Sequence, residues 1–282
     1  MDHAAPDLDL PDLDFSEDDI QRYSRHILLS DIGAIGQARL AAARVLVVGA
    51  GGLGSPLVLY LAAAGVGRIG VVDHDRIELS NLQRQIAFTT AQVGAGKAEA
   101  TAAAGRARNP GPRIVAHAER LDAGNAMALI AGYDIVCDGT DNFATRFLVA
   151  DACVLARRTL ISAAVLRYEG QLATFKPHAA PGLPCYRCLY PAAPPPGLVP
   201  ACAEAGVLGP VTGVMGTLQA TEVLKEILGI GEGLAGRLLL WDALAMRFRV
   251  IGLPADPACL ACGAAPGLRD LSAHCLEPSH AI

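Results

Sequence analysis

Short apolar runs alternate with helical patterns through the first half of the chain. The runs predict strands at residues 44–48, 68–73, 113–117, 135–137 and 159–162. Between them, apolar residues recur at helical spacing and predict helices at 55–64, 95–108, 123–131 and 142–157. A single further helix is predicted at 18–40. Strands that alternate with helices indicate an α/β fold, a Rossmann-like, mostly parallel sheet with helices on both faces.

The alternation ends after residue 164. Strands at 170–176, 237–241 and 246–251 are predicted to extend the sheet in antiparallel fashion. They are separated by a Pro/Gly-rich loop, 177–210, and a helix, 213–228. We therefore predict a flexible acidic leader at 1–16, a single domain at 17–264 and a C-terminal tail at 265–282.

Composition narrows the possible partners and location. The chain has 282 residues, 52% hydrophobic and 18% charged, with a net charge of -5. This balance supports a sizeable core and argues against nucleic acid as the main partner. The N-terminus is acidic and does not resemble a signal peptide, and no apolar run reaches the ~20 residues of a membrane helix. We predict a cytoplasmic protein with no membrane association, in which the eight cysteines stay reduced.

A glycine-rich segment lies between a predicted strand and a predicted helix, with the sequence Gly49-Ala50-Gly51-Gly52-Leu53-Gly54. Such glycines let the backbone approach a phosphate, and the helix N-terminus attracts its negative charge. Asp73 follows 19 residues after Gly54, at the end of the next strand. That spacing suits a carboxylate that accepts hydrogen bonds from ribose hydroxyls. The pattern predicts a nucleotide site, and by itself it fits NAD as well as ATP.

Polar residues farther along the chain favour ATP over NAD. Arginine and lysine can bind phosphates, and an aspartate at the end of a strand can bind Mg²⁺. A dinucleotide dehydrogenase has little need for such groups around one glycine turn. The residues concerned are Asn81, Arg84, Gln85, Lys97 and Asp141.

The cysteine spacing predicts a metal site. Cys185-x-x-Cys188 and Cys259-x-x-Cys262 form two pairs of the type that binds structural zinc tetrahedrally. Such a zinc-bound C-terminal segment would be attached to the Pro/Gly-rich loop. Cys202 lies in that loop, in a polar, Gly/Pro-rich stretch that is not typical of a core.

These motifs, in this order, resemble those of the MoeB/ThiF adenylyltransferases, bacterial relatives of ubiquitin-activating enzymes. The resemblance extends from about residue 17 to about residue 264. Besides the segments above, it includes Arg22-Tyr23-Ser24-Arg25-His26, Leu79-Ser80-Asn81-Leu82-Gln83-Arg84-Gln85, Thr140-Asp141-Asn142 and Gly213-Val214-Met215-Gly216-Thr217-Leu218-Gln219.

The resemblance implies a role for each matching residue. Asp73 would bind the ribose, and Asp141 would bind the Mg²⁺ that adenylation requires. Arg25 would reach the ATP site of a second subunit, which implies a homodimer. Cys202 would be a sulfur-relay or acyl-accepting thiol. The residues implied to line the ATP cradle are Gly49, Gly52 and Gly54, and those implied to contact the triphosphate are Asn81, Arg84, Gln85 and Lys97.

The activity implied is ATP-dependent adenylation of the C-terminal Gly-Gly carboxylate of a small ubiquitin-like sulfur-carrier protein, with release of pyrophosphate. A cysteine desulfurase or sulfurtransferase would then be the sulfur donor. The MoeB type, which serves molybdopterin synthase, is our first interpretation, and the ThiF type, which serves thiamine thiazole synthesis, is the alternative. An NAD-dependent oxidoreductase and an inactive ATP-binding scaffold are more distant alternatives.

Overall fold

The computed structural model describes residues 15–195 and 205–275 of the chain. Its helices are α1 (Glu17–Ile27), α2 (Gly33–Ala42), α3 (Gly54–Ala63), α4 (Lys97–Arg108), α5 (Ala126–Ala131), α6 (Phe143–Leu155), α7 (Tyr186–Leu189) and α8 (Gly209–Leu228). Its strands are β1 (Arg44–Val48), β2 (Arg68–Val72), β3 (Arg113–His117), β4 (Ile135–Asp138), β5 (Thr159–Leu166), β6 (Glu169–Phe175), β7 (Arg237–Asp242) and β8 (Arg247–Gly252). Short 3₁₀ helices occupy Leu79–Asn81, Thr90–Gln92 and Ser272–Cys275.

All eight strands form one sheet, in the order β3-β2-β1-β4-β5-β6-β7-β8. The first five strands in this order, β3, β2, β1, β4 and β5, are parallel, and β6, β7 and β8 extend the sheet in antiparallel fashion. Val48 of β1 pairs with Val72 on one side and Asp138 on the other, so these three strands end together. The direction of chain progress reverses between β1 and β4. Such a reversal leaves a crevice at the carboxyl ends of the strands, where ligands of open α/β folds bind.

Two apolar layers cover the parallel part of the sheet and explain why its strands read as unbroken apolar runs. One layer packs α3, α4 and α8 against the sheet, with Leu57, Ala102 and Met215 among its buried residues. The other packs α5 and α6 against the opposite face, with Ile130 and Phe147. The predicted Rossmann-like fold with helices on both faces and an antiparallel extension is therefore confirmed.

The single helix predicted at 18–40 is wrong, because a turn divides it into α1 and α2. Ser16 caps α1 by accepting a hydrogen bond from the backbone N–H of Asp19, in a capping box. Gly33, the first residue of α2, has φ +59°, a left-handed conformation that interrupts a helix and suits glycine. The apolar periodicity continues across this turn, which explains why the pattern alone suggested one element.

Two other elements are longer than predicted by four residues each. β5 continues past 162 to Leu166, because its second half pairs with β6 in antiparallel fashion after its parallel partner β4 has ended. α8 begins at Gly209 rather than 213, with Pro210 in its first turn, where a missing N–H costs little.

The described part of the predicted tail, 265–275, packs against the rest of the chain. Leu271 is buried in the apolar layer that contains α6, and Leu268 packs beside the four cysteines. Residues 1–14 and 276–282 lie outside the described part of the chain. Among the described helices, none has the length and apolarity to cross a membrane.

Candidate active site

A cleft of about 1020 Å³ opens at the carboxyl ends of the parallel strands. It extends from the glycine turn and Asp73 to Tyr190 and Leu240 on the antiparallel side of the sheet. Most of the residues predicted for the nucleotide site line it together. They are Gly49, Gly52, Asp73, Asn81, Arg84, Gln85, Lys97 and Asp141.

The glycine turn forms one wall of the cleft, and each glycine has its own geometric reason. Gly49 has φ +92°, which an L side chain rarely adopts. A Cβ on Gly52 would lie 2.9 Å from Thr212 Oγ1, whereas the nearest atom to a Cβ on Gly51 would be 3.7 Å away. The backbone of Gly51 is therefore open towards the cleft. Helix α3 begins directly after this turn, so the partial positive charge of its N-terminus lies at the turn, where it favours binding of an anion.

Gly54 is not among the residues that line the cleft in the described chain, although the resemblance implied that it would be. A Cβ at this position would lie 1.9 Å from the carbonyl oxygen of Gly49. Gly54 therefore serves the close packing of α3 against the turn, and its effect on a ligand would be indirect.

Asp73, directly after β2, is hydrogen-bonded through its side chain to the glycine turn that follows β1. One carboxylate oxygen accepts the N–H of Ala50 at 2.8 Å, and the other accepts the N–H of Asp75 at 2.8 Å. Burial raises the pKa of Asp73, and these backbone bonds oppose the rise. The carboxylate is thereby fixed beside the glycine turn, as expected of a residue that accepts ribose hydroxyls.

Lys97, the first residue of α4, lies in the cleft with its side chain only 10% exposed. Its Nζ donates to Asp75 Oδ2 at 2.8 Å, and its backbone N–H donates to the carbonyl of Asp75. Burial tends to raise the pKa of Asp75, but the bond and charge of Lys97 outweigh it and lower that pKa. Asp75, which the sequence did not single out, thus holds the lysine towards the cleft.

The segment after β2 supplies three more polar side chains. Asn81 is buried and accepts the N–H of Glu78 at 3.1 Å. Arg84, partly exposed, donates to the carbonyl of Ser80 at 3.2 Å. Gln85 is 4% exposed, and its Oε1 has no hydrogen-bond partner among the described residues. A buried amide oxygen without a partner is costly and suits a site in which a ligand supplies the donor.

Asp141 follows β4 and is exposed in the cleft. The buried neighbours that support its loop, Asp138 and Arg146, were not predicted as site residues. Asp141 was predicted as a site residue because it follows a strand. Asp138 ends the same strand and Arg146 lies on α6, and neither was singled out. Their burial depends on long-range packing that spacing does not reveal.

Two predicted site residues lie elsewhere. Arg25 is exposed on α1 and does not line the cleft in the described chain. This position leaves it available to a second subunit, which is the role that the resemblance implies. Cys202 lies outside the described residues, so its role stays a prediction.

The four predicted metal ligands meet in one cluster. Cys185 and Cys259 have sulfurs 3.5 Å apart, and those of Cys188 and Cys262 are 3.4 Å apart. All four sulfurs lie within 4.8 Å of one another. A tetrahedron with Zn–S bonds of about 2.3 Å has edges of about 3.8 Å, so the cluster fits zinc. The N–H of Asp256 also points to Cys188 Sγ at 3.4 Å, a contact typical of metal-bound thiolates.

Beside these cysteines lies a buried ion cluster formed by Asp151, Arg187 and His274. Arg187 donates to both oxygens of Asp151, at 2.7 Å each, and packs over the ring of Phe147. His274 reaches the same carboxylate at 2.8 Å. The cluster joins α6 to the Cys185–Cys188 segment and to the C-terminal segment. The sequence did not predict it, since its members lie 36 and 123 residues apart.

A model of the ThiF family matches residues 23–261. The chain is 48% identical to the sulfur carrier protein adenylyltransferase of Thermus thermophilus, over 91% of this chain and 96% of that protein. It is 52% identical to cattle adenylyltransferase and sulfurtransferase MOCS3 over 91% of this chain, and 49% identical to probable adenylyltransferase/sulfurtransferase MoeZ of Mycobacterium tuberculosis over 92%. It spans only 56% of MOCS3 and 66% of MoeZ.

Solved structures agree with the fold. Escherichia coli MccB, in a crystal structure with MccA-N7isoASN, superimposes with a TM-score of 0.76 at 25% sequence identity. The alignment covers 86% of this chain and 74% of MccB. The match of the family model covers most of the chain. The protein belongs to the ThiF family.

Proposed function

We propose that this protein adenylates the C-terminal Gly-Gly carboxylate of a small ubiquitin-like sulfur-carrier protein at the expense of ATP. The observation that supports this most directly is that one cleft joins the glycine turn to Asp73, Lys97 and Asp141. The named relatives are adenylyltransferases, and the Thermus protein, of similar length, acts on a sulfur carrier protein by name. None of these relatives is named as an oxidoreductase, so the NAD alternative has no support from them.

The reaction needs no base from the protein, because a C-terminal carboxylate is ionised at neutral pH. A carboxylate oxygen attacks the α-phosphorus of ATP, a new O–P bond forms, and the bond from that phosphorus to the bridging oxygen breaks. The products are an acyl-adenylate and pyrophosphate. Catalysis then consists mainly of positioning and stabilisation of charge on the phosphates.

The residues of the cleft divide these tasks. Arg84 and Lys97 would bind the phosphates, and Asp73 would bind the ribose. Asp141 would bind Mg²⁺, which neutralises phosphate charge when present. At about 1020 Å³ the cleft is at the upper end of the range for small-molecule sites. That volume suits a nucleotide together with an extended, side-chain-free peptide tail.

The exchange of labelled pyrophosphate into ATP tests this proposal, because it requires formation of the adenylate. We expect exchange only when a carrier ending in Gly-Gly is added, and we expect no exchange when NAD replaces ATP. Lys97→Met should reduce the exchange rate by about 100-fold or more, the loss typical of a group that stabilises developing charge. Lys176→Met is a matched control, since Lys176 is also a partly buried lysine in an ion pair, at 2.7 Å from Glu226, but lies outside the cleft. Carrier-independent exchange, or equal losses in both variants, would contradict the proposal.

The carrier itself separates the MoeB and ThiF types. We favour the molybdopterin-synthase carrier, and the thiazole-synthesis carrier is the alternative. The exchange assay with each purified carrier distinguishes them, since only the cognate protein should support a high rate. A cytoplasmic location, where such carriers and their sulfur donors are found, is part of the same proposal.

A homodimer would complete each site with Arg25 from the second subunit. Exposed apolar side chains lie on the same segment of the chain as Arg25: Ile20 on α1, Leu28 and Leu29 in the turn after it and Ile35 on α2 are each more than half exposed. Exposed apolar clusters of this kind are typical of interfaces. Arg25→Ala and Asp141→Asn proteins should each be inactive alone and regain exchange when mixed. No recovery in mixed dimers would show that Arg25 does not act across subunits.

Cys202 is proposed to form a covalent, sulfur-linked species with the carrier. The Cys202→Ala protein should lose this conjugate, detected by mass spectrometry, and keep pyrophosphate exchange. Loss of exchange as well would show that the residue has another role.

A further inference from the structure

A buried ion pair lies beneath the loop 139–142, which presents Asp141 to the cleft. Asp138 ends β4 with its side chain 1% exposed, and Arg146 lies on the first turns of α6 with its side chain 8% exposed. Their closest approach is 3.1 Å, from Arg146 Nη1 to Asp138 Oδ2. The pair therefore occupies the carboxyl edge of the sheet, at the crevice between β1 and β4.

The carboxylate of Asp138 is fully engaged within the protein. Its Oδ1 accepts the backbone N–H of Thr140 at 3.0 Å and the Thr140 hydroxyl at 2.6 Å. Its Oδ2 accepts the Ser162 hydroxyl at 2.8 Å in addition to Arg146. A carboxylate offers about four acceptor positions, and these four donors use them. Asp138 is thus an anchor for the loop, and Asp141 is the carboxylate left for a ligand.

Arg146 connects the same loop to the neighbouring strand. Its Nη2 donates to the backbone carbonyl of Thr140 and, at 3.0 Å, to that of Ala163 on β5. On the side of α8, Gln219 donates to the carbonyls of Asp138 and Ile161, at 3.0 and 2.8 Å. The start of the loop is therefore held from β4, β5, α6 and α8.

A buried ion pair is weak evidence for stability, because desolvation of both charges offsets most of their attraction. Here its hydrogen bonds are directed at one loop, next to the carboxylate expected to bind Mg²⁺. We propose that Arg146 and Asp138 are positioning residues, which fix the loop 139–142 so that Asp141 is presented to the metal of the metal–nucleotide complex. This inference rests on the proposed function and extends it to residues that do not contact the metal.

Metal affinity, measured apart from catalysis, tests the proposal. Mn²⁺ binding to the ATP complex would be followed by electron paramagnetic resonance, and Mg²⁺ dependence by pyrophosphate exchange. Arg146→Gln should weaken Mn²⁺ binding by about 10- to 100-fold, as is typical when a partner of a metal ligand is removed. ATP affinity without divalent metal, measured by calorimetry, should not change. Arg146→Lys should be intermediate, since an ammonium group lacks the planar fork that reaches several acceptors at once.

Two further variants keep the test decisive. Thr140→Val removes the hydroxyl bond to Asp138 at a partly exposed position and should weaken Mn²⁺ binding in the same direction by a smaller factor. If Arg146→Gln does not fold, as judged by circular dichroism, this variant decides the question. Arg158→Gln is the matched control, because Arg158 also donates to a backbone carbonyl, that of Ala131, but lies outside the cleft.

The results of these measurements distinguish a failure of the positioning role from a failure of the proposed function. A wild-type protein that binds no metal–ATP complex would refute the proposed function. Wild-type binding together with unchanged Mn²⁺ affinity in Arg146→Gln or Thr140→Val would refute the positioning role alone. An equal loss of ATP affinity with and without metal would also refute it, since a general structural defect has that effect.

Discussion

Asp151→Asn would remove the charge from the centre of the buried cluster beside the cysteines while preserving the size of the side chain. Asp151 is 1% exposed at its side chain and receives both Arg187 bonds and the His274 bond, at 2.7 to 2.8 Å. Asparagine offers one acceptor oxygen, and its amide would point a donor at a guanidinium or an imidazole. Arg187, 15% exposed, would be left without its counterion.

The magnitude follows from this burial. Removal of one partner from a buried ion pair costs about 3–5 kcal/mol, because the remaining charge stays desolvated. In a protein of this size that loss corresponds to a fall in melting temperature on the order of 10 °C. Asp134→Asn is a matched control, since Asp134 also receives two bonds from the side chain of one arginine, Arg44, at 2.6 and 3.1 Å, besides one from the Arg44 backbone N–H at 3.0 Å. That pair is more than 40% exposed on both sides, and its loss should cost about 1 kcal/mol or less.

The effect of Asp151→Asn should also depend on pH. Burial tends to raise the pKa of Asp151, but the bonds from Arg187 and His274 outweigh it and lower the pKa below its ordinary value. A carboxylate with a depressed pKa stabilises the fold fully above its unfolded pKa of about 3.9, and this contribution is lost as pH falls through the folded pKa. The difference in the free energy of unfolding between wild type and variant should therefore shrink as the pH falls below about 4.

Urea unfolding followed by circular dichroism measures both expectations, with wild type and variant compared at equal zinc content at each pH, because protonation of the cysteines releases zinc in acid. Equal stability of the Asp151→Asn and Asp134→Asn proteins at pH 7 would contradict the expectation, since Asp151 is buried and has the further partner His274. Destabilisation by Asp151→Asn that grows below about pH 4 would also contradict it.

Two other predictions concern the glycine turn and the cysteines. Gly54→Ala should destabilise the protein by about 1–3 kcal/mol and weaken ATP binding in calorimetry, because the new methyl group would lie 1.9 Å from the Gly49 carbonyl oxygen. Gly213→Ala is the control and should have neither effect, because no atom lies within 4 Å of its new methyl group. Equal effects of the two substitutions would contradict a packing role for Gly54. Wild-type protein should contain about one zinc per chain by elemental analysis, as a four-cysteine site requires. Cys188→Ser should lower both the zinc content and the melting temperature, whereas Cys153→Ser should keep its zinc. A zinc-free wild type that unfolds at the same temperature as the zinc-bound protein would exclude a structural role for the metal.

Most of the sheet could be predicted from the sequence because parallel strands buried on both faces leave an unmistakable apolar run. β1 and β3 have the predicted bounds, and β2 and β4 differ from them by one residue. Within the sheet, the prediction failed most where pairing with a further strand set the length of an element. β5 is extended by its pairing with β6, which the run of residues at 159–162 could not reveal.

The residues of the candidate site also fall into two groups, those that the sequence could suggest and those that it could not. The residues proposed to contact a ligand, such as Asp73, Lys97 and Asp141, follow strands or glycines, so spacing alone could suggest them. Residues that hold them, such as Asp75, Asp138 and Arg146, form bonds across 8 to 24 positions. A buried arginine reads in the sequence like any surface arginine, because its burial is a property of the assembled layers. Support for a site is therefore harder to predict than the site itself.

The cysteine cluster also constrains the order in which the chain can reach its final state. Cys185 and Cys259 are 74 positions apart, and the residues between them form α8, β7 and β8. Closing so long a loop is entropically unfavourable unless the intervening elements have already packed. During synthesis, the strands that form the nucleotide side of the cleft leave the ribosome well before the last two cysteines. A metal held by all four cysteines would therefore bind only after the domain is complete, and a chain interrupted before residue 259 would have only half of the ligands.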